Sequence, residues 1–197
     1  MQFKLIKKVP VVEINGKTCF FDTCYPRALM SVCSDIQEFF GIPGLYVAGL
    51  SALKRYTKFD YPNNEITTSD DPIPLEGGTT VPLEIRPNGW LVRMTVGGVD
   101  GMRYIDTGAA YSYVHNLQAQ FPVVETADEC GWRHGRFTAP VRRVPCEFAG
   151  HSFEILCGDG KDNPEYVPDK GVIGYDFFAN FTVVADSVGG KMTFVRN

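Results

Sequence analysis

Long apolar runs are missing from this chain. The best candidate, Phe177 to Ala185, is cut short by Asp176 and Asp186, well below the ~18 residues that a membrane-spanning helix needs. An export signal is missing as well: MQFKLIKKVPVVEING mixes charge into its apolar residues and has no small-residue cleavage site, so a cytoplasmic location is expected. Positive charge is not in excess. Nineteen Lys and Arg against 23 Asp and Glu leave a net charge of -4, which gives no electrostatic reason to expect nucleic acid or an anionic membrane as partner. The basic pairs Lys7-Lys8 and Arg142-Arg143 read as solvated surface. Close cysteine and histidine pairs are absent too: six dispersed cysteines read as free thiols, and His115, His134 and His151 stand apart, so neither a metal nor any other cofactor is expected. What is present, 44% apolar and 21% charged residues in 197, is the balance of a soluble globular protein and excludes disordered and collagen-like chains.

A two-part pattern occurs twice. In its first part a hairpin delivers an Asp-Thr to a strand end. Residues 11–26 lead through Asn15-Gly16, the dipeptide that favours a type I′ turn, to Asp22-Thr23. Residues 91–114 do the same, with 97–101 as the turn and 102–105 as the strand ending at Asp106-Thr107. The second part is two apolar residues and a glycine, a short helical stretch, a strand, an aspartate, a turn and a closing strand. Val47-Ala48-Gly49 opens it in the first copy and Val172-Ile173-Gly174 in the second. Leu29, Val32, Ile36 and Phe40 recur at helical spacing, predicting an amphipathic helix over 28–40. A connector rich in Pro, Gly and acidic residues places a boundary near residue 77.

The string Tyr104 to Ser112 around Asp106-Thr107-Gly108-Ala109, joined to Gly171 to Phe178, resembles one lobe of the aspartic peptidases of the retropepsin and pepsin clan. That resemblance is strongest from 91 to 197. It implies an all-β fold with short helices in two lobes: a reduced N-terminal lobe, 1–76, without a flap, and a complete C-terminal lobe, 77–197, that carries one. It further implies that Asp22 and Asp106 form a catalytic pair sharing one proton, an arrangement for which aspartic proteases are the standard illustration. One carboxyl activates a water and the other protonates the scissile carbonyl, with no covalent intermediate. Thr23 and Thr107 would brace the two loops, Gly108 would permit a tight loop, and the two apolar-apolar-glycine segments would floor them. Pepsin-like lobes usually carry Ser or Thr after the triplet, whereas this chain has Ala109 and Tyr25. Losing those donors favours protonated carboxyls and a working pH nearer neutral.

Only 16 residues separate Met30 from Val47, too few for a flap, whereas nearly 60 separate Val114 from Val172. Residues 126–155 read as a long hairpin and a second turn at Ala149-Gly150, with Gly131, Trp132 and Arg133 at a tip able to close over a bound peptide. Cys24 stands where the clan has glycine, and a side chain there is expected to crowd the loop. The leading reading is a monomeric endopeptidase acting on a peptide or protein substrate. Two alternatives are an inactive peptide-binding module and an enzyme active as a homodimer through Asp106.

Overall fold

The computed structural model describes residues 1–117, 121–132, 134–164, 167–168 and 170–197. In the N-terminal half, β1 (Phe3–Ile6) and β2 (Val9–Ile14) pair across a Lys7-Lys8 turn in which both residues have positive φ, 50° and 67°. The Asn15-Gly16 turn, with φ of 51° and 72°, joins β2 to β3 (Lys17–Phe21) in the type I′ form that this dipeptide favours. The expected helix over 28–40 is shorter than its periodicity suggests. Leu29–Ser31 form β4, and α1 starts at Ser34 and ends at Phe40, capped by left-handed Gly41. Pairing decides this: β4 runs antiparallel to β5 (Tyr46–Ala48), Leu29 opposite Ala48, so ladder hydrogen bonds override local helical spacing. Val32 and Ile36 still bury their side chains with Val9, Phe20 and Val47.

A short 3₁₀ turn, Leu50–Ala52, leads into the hairpin of β6 (Tyr56–Asp60) and β7 (Glu65–Ser69), followed by β8 (Thr79–Pro82). Next come β9 (Glu84–Arg86), β10 (Gly89–Val96) and β11 (Val99–Ile105). The β10–β11 turn is tighter than the sequence indicated. Gly97 and Gly98 alone make it, with φ of 58° and 85°, and Val96 already pairs with Val99.

The chain continues through β12 (Ser112–Val114), the long hairpin of β13 (Val123–Gly131) and β14 (Gly135–Phe148), β15 (His151–Asp159), and the two-residue β16 (Val172–Ile173). It ends with α2 (Tyr175–Asn180), β17 (Phe181–Asp186) and β18 (Lys191–Arg196). The C-terminal sheet has the order β13-β14-β15-β12-β16-β11-β10-β9, and β14 also reaches β10, folding that sheet onto itself.

A third sheet, β7-β6-β17-β18-β8, takes strands from both halves, with Phe59 opposite Val183. One apolar core therefore runs through the molecule. Phe21, Phe59, Phe177, Phe178, Phe181 and Phe194 are each at most 1% exposed in it, and burying each such ring contributes about 1.5–3 kcal/mol. No helix among the described residues is long and apolar enough to cross a membrane.

Candidate active site

The two Asp-Thr segments leave their strands in the same way. β3 lies parallel to β5, with Phe21 opposite Ala48, and β11 lies parallel to β16, with Ile105 opposite Ile173. One residue further on, the Asp22 amide donates to the Ala48 carbonyl and the Asp106 amide to the Ile173 carbonyl, both at 2.9 Å. Each loop then turns over its apolar-apolar-glycine floor. A β-carbon at Gly49 would collide with the Tyr25 carbonyl, and one at Gly174 with the Ala109 carbonyl. Glycine at those two positions is a packing requirement.

Thr23 and Thr107 are fully buried between the loops. The Thr23 hydroxyl donates to the Ile105 carbonyl at 2.8 Å and accepts from the Thr107 amide at 3.1 Å. Reciprocally, the Thr107 hydroxyl donates to the Phe21 carbonyl at 3.0 Å and accepts from the Thr23 amide at 3.1 Å. Four bonds thus tie the two halves across a buried contact, where a lost partner costs about 1–3 kcal/mol.

This clamp sets the two carboxyls side by side, close enough that each shifts the other's protonation. Each is also held by its own loop: the Cys24 amide donates to Asp22 Oδ1 at 2.7 Å, and the Gly108 amide to Asp106 Oδ1 at 2.8 Å. Burial, and then the Asp106 charge, push the Asp22 carboxyl well above the usual carboxylate range. Burial raises Asp106 as well, but the Gly108 amide, the Asp22 carboxyl and the Cys24 thiol all favour its charged form. Both carboxyls are thus held above their ordinary values.

Gly108 and Cys24 occupy matching positions in unlike surroundings. A β-carbon on Gly108 would lie 2.9 Å from both Cβ and Cγ of Asp22, so no side chain fits there. Cys24 does not crowd its loop as the sequence suggested. Its φ is negative, its sulfur rests 3.9 Å from the Ile105 carbonyl, and Gly89, where an added β-carbon would lie 3.2 Å from that sulfur, leaves the room. The thiol also favours the charged form of Asp106, partly replacing the hydroxyl that Ala109 lacks.

Over the carboxyls lies the β13–β14 hairpin. Trp132, 40% exposed, stacks on Tyr25 with centroids 5.9 Å apart and rings 16° from parallel, and stands 6.2 Å from Phe20. Gly131 is buried beside it, whereas Arg133 lies outside the described residues. Gly135, in the left-handed region, brings the second strand against Asp35 of α1. A cavity of about 60 Å³ remains beneath the tip, bounded by Asp22, Gly108 and the hairpin.

Among known proteins, no family profile matches the chain, and no curated protein matches it. Among solved structures, a retropepsin-like aspartic protease from Rickettsia conorii is similar over 61% of this chain and 96% of its own, at 14% identity and a TM-score of 0.41. Basic 7S globulin from soybean is similar over 79% of this chain and 59% of its own, at 16% identity and a TM-score of 0.44. Aspartic proteinase from Irpex lacteus is similar over 61% and 47%, at 11% identity and a TM-score of 0.41. This chain spans about half of the last two. Its fold is all-β and retropepsin-like, and the doubled loops with their reciprocal threonines carry that statement.

Sequence reasoning missed two contributors to the cleft. Lys7 is exposed as expected, yet its ammonium pairs with Asp128 of the hairpin at 3.5 Å and lies 4.0 Å over the Phe39 ring, while Lys8 lies 3.9 Å over Tyr111. The pair is thus not merely solvated. Glu129 also turns inward from β13, on the face it shares with Ala127 and Gly131. Alternation along that strand was the available signal.

Proposed function

We propose that the protein is an aspartic endopeptidase whose Asp22/Asp106 pair hydrolyses peptide bonds. The observation that supports this reading is the reciprocal threonine clamp, which ties together the two loops that carry Asp22 and Asp106. Two carboxyls this close cannot both ionise, so one is available as base and one as acid. Asp106, with four donors favouring its charge, takes a proton from a water as that water attacks the scissile carbonyl carbon. Asp22 gives its proton to the carbonyl oxygen. Collapse of the resulting tetrahedral diol breaks the C–N bond as one of its hydroxyls returns a proton to Asp22, and the proton held by Asp106 passes to the departing amine. No covalent bond to the enzyme is needed. Ile173 and Ala48, both fully buried, floor the loops and keep the pair from relaxing apart.

The pair is complete within one chain, which supports a monomer and leaves a homodimer through Asp106 without a task. Incubating the purified protein with a peptide library, beside Asp106→Asn, tests the reading: the wild type should cleave and the variant should lose about 10²–10⁴-fold in kcat/KM. Cleavage that survives in Asp106→Asn overturns it. A second reading, a peptide-binding module without turnover, draws on Trp132 stacked over Tyr25 with only about 60 Å³ beneath it. Saturable peptide binding by a wild type that cleaves nothing would favour that reading.

A further inference from the structure

We propose that Glu129, on the flap hairpin, forms a specificity subsite for a carboxamide side chain of the substrate, asparagine or glutamine, beside the scissile bond. The proposal rests on the peptidase reading for what the cleft binds, and on separate observations for what the subsite selects. Glu129 lines the same cavity as Asp22 and Gly108, whose remaining walls include Phe20, Ile36, Phe40 and Trp132. Its Oε1 is wholly enclosed and has no hydrogen-bond partner among the described residues. Native interiors rarely leave such an atom unpaired, because an enclosed polar atom without a partner costs stability. A partner arriving with the substrate would supply what is lacking.

The surroundings narrow the partner's chemistry. The charged groups around Glu129 are Lys7 and Lys8 from the β1–β2 turn, Asp106 from the loop after β11, and Asp128 on its own strand. Burial dominates over them and pushes the carboxyl up to about 8, so below that pH Glu129 is a neutral acid with one O–H donor and one carbonyl acceptor. Both nearby ammonium groups are engaged, Lys7 with Asp128 and Phe39, Lys8 with the Tyr111 ring. They would repel a basic substrate side chain, while Asp106 would repel an acidic one. A purely apolar side chain would leave Oε1 as it is. A carboxamide is neutral and planar: its carbonyl accepts the O–H of Glu129 while its N–H donates to Oε1. The cavity, about 60 Å³, has room for about two waters, which suits the short asparagine side chain best.

The test has two arms. In the first, a peptide library varied on both sides of the scissile bond is cleaved by wild type, Glu129→Gln and Glu129→Leu. Wild type should favour Asn or Gln over Leu and Lys by about 10- to 100-fold. Glu129→Gln, which keeps a donor and an acceptor, should retain that order, and Glu129→Leu should reverse it in favour of Leu. A wild-type preference for Lys or Arg, or an unchanged order in Glu129→Leu, overturns the proposal. In the second arm, non-cleavable analogues with a reduced peptide bond, carrying Asn or Leu at the selected position, are titrated calorimetrically. The Asn analogue should bind wild type more tightly, by the same factor, and the difference should vanish in Glu129→Leu. This arm reads out even in a chain that cleaves nothing: in that case the peptidase reading fails and the subsite stands. Equal affinities for the two analogues, or binding of neither, overturn the subsite itself.

Discussion

Asp22 and Asp106 look alike in sequence, each before a threonine at a strand end, yet their neighbours make them unequal. The thiol of Cys24 is the clearest difference, because it favours the charged form of Asp106. Removing it in Cys24→Gly should make Asp106 easier to protonate and move the acidic limb of the kcat/KM profile to higher pH. Cys24→Ser, which keeps a donor at the same place, should leave the limb at or below its wild-type position. Profiles that coincide for all three proteins would show that the thiol is mere filling. The identity of this residue was plain from the sequence but its effect was not, since the space for its sulfur comes from Gly89, 65 positions away along the chain.

At the scale of elements, local signals were readable and partners were not. Asn15-Gly16 fixes its hairpin with two adjacent residues in the left-handed region, a preference any Asn-Gly carries. The β14–β15 turn at Ala149-Gly150, with φ of 49° and 83°, was legible from its glycine alone, since alanine has no such preference. By contrast, Leu29–Ser31 became a strand because β5 lies alongside, and the inward turn of Glu129 depends on the sheet that β14 and β15 complete. Neither depends on local spacing alone. The β13–β14 hairpin gives a direct prediction. Trp132 is 40% exposed and Trp90 only 3%, so peptide binding should change the emission of the first and leave the second unaltered. Trp132→Ala should abolish that change and raise KM by about 3- to 10-fold, the equivalent of losing one aromatic contact of about 0.5–1.5 kcal/mol. An unchanged KM would mean that the ring does not close on substrate.

Over the whole molecule, the resemblance of the two copies foretold the paired loops, and the clamp between Thr23 and Thr107 realises it. The sheet shared through β6 and β17 was not foretold, because pairing between residues more than 120 positions apart leaves no local periodicity. Joining the halves at the carboxyls has a cost that pH should reveal. Burial raises both groups above their ordinary values, so above pH ~4, where an unfolded chain has released these protons, the folded chain still holds protons. The folded state then binds more protons than the unfolded one. Stability therefore falls as pH rises from there through the folded values, by about 1.4 kcal/mol per unit for each proton retained. Asp22→Asn removes one of the two raised groups, so its melting temperature should depend less on pH and exceed that of the wild type at pH 7. A variant less stable than wild type at that pH would contradict this electrostatic account.

That stabilised variant also permits the most direct test of the central claim, that Asp22 completes a working pair with Asp106. The measurement is kcat/KM of Asp22→Asn beside wild type on a peptide that the wild type cleaves, at the wild-type pH optimum. The account predicts a folded protein whose kcat/KM is lower by about 10²–10⁴-fold. Turnover close to that of the wild type would contradict it.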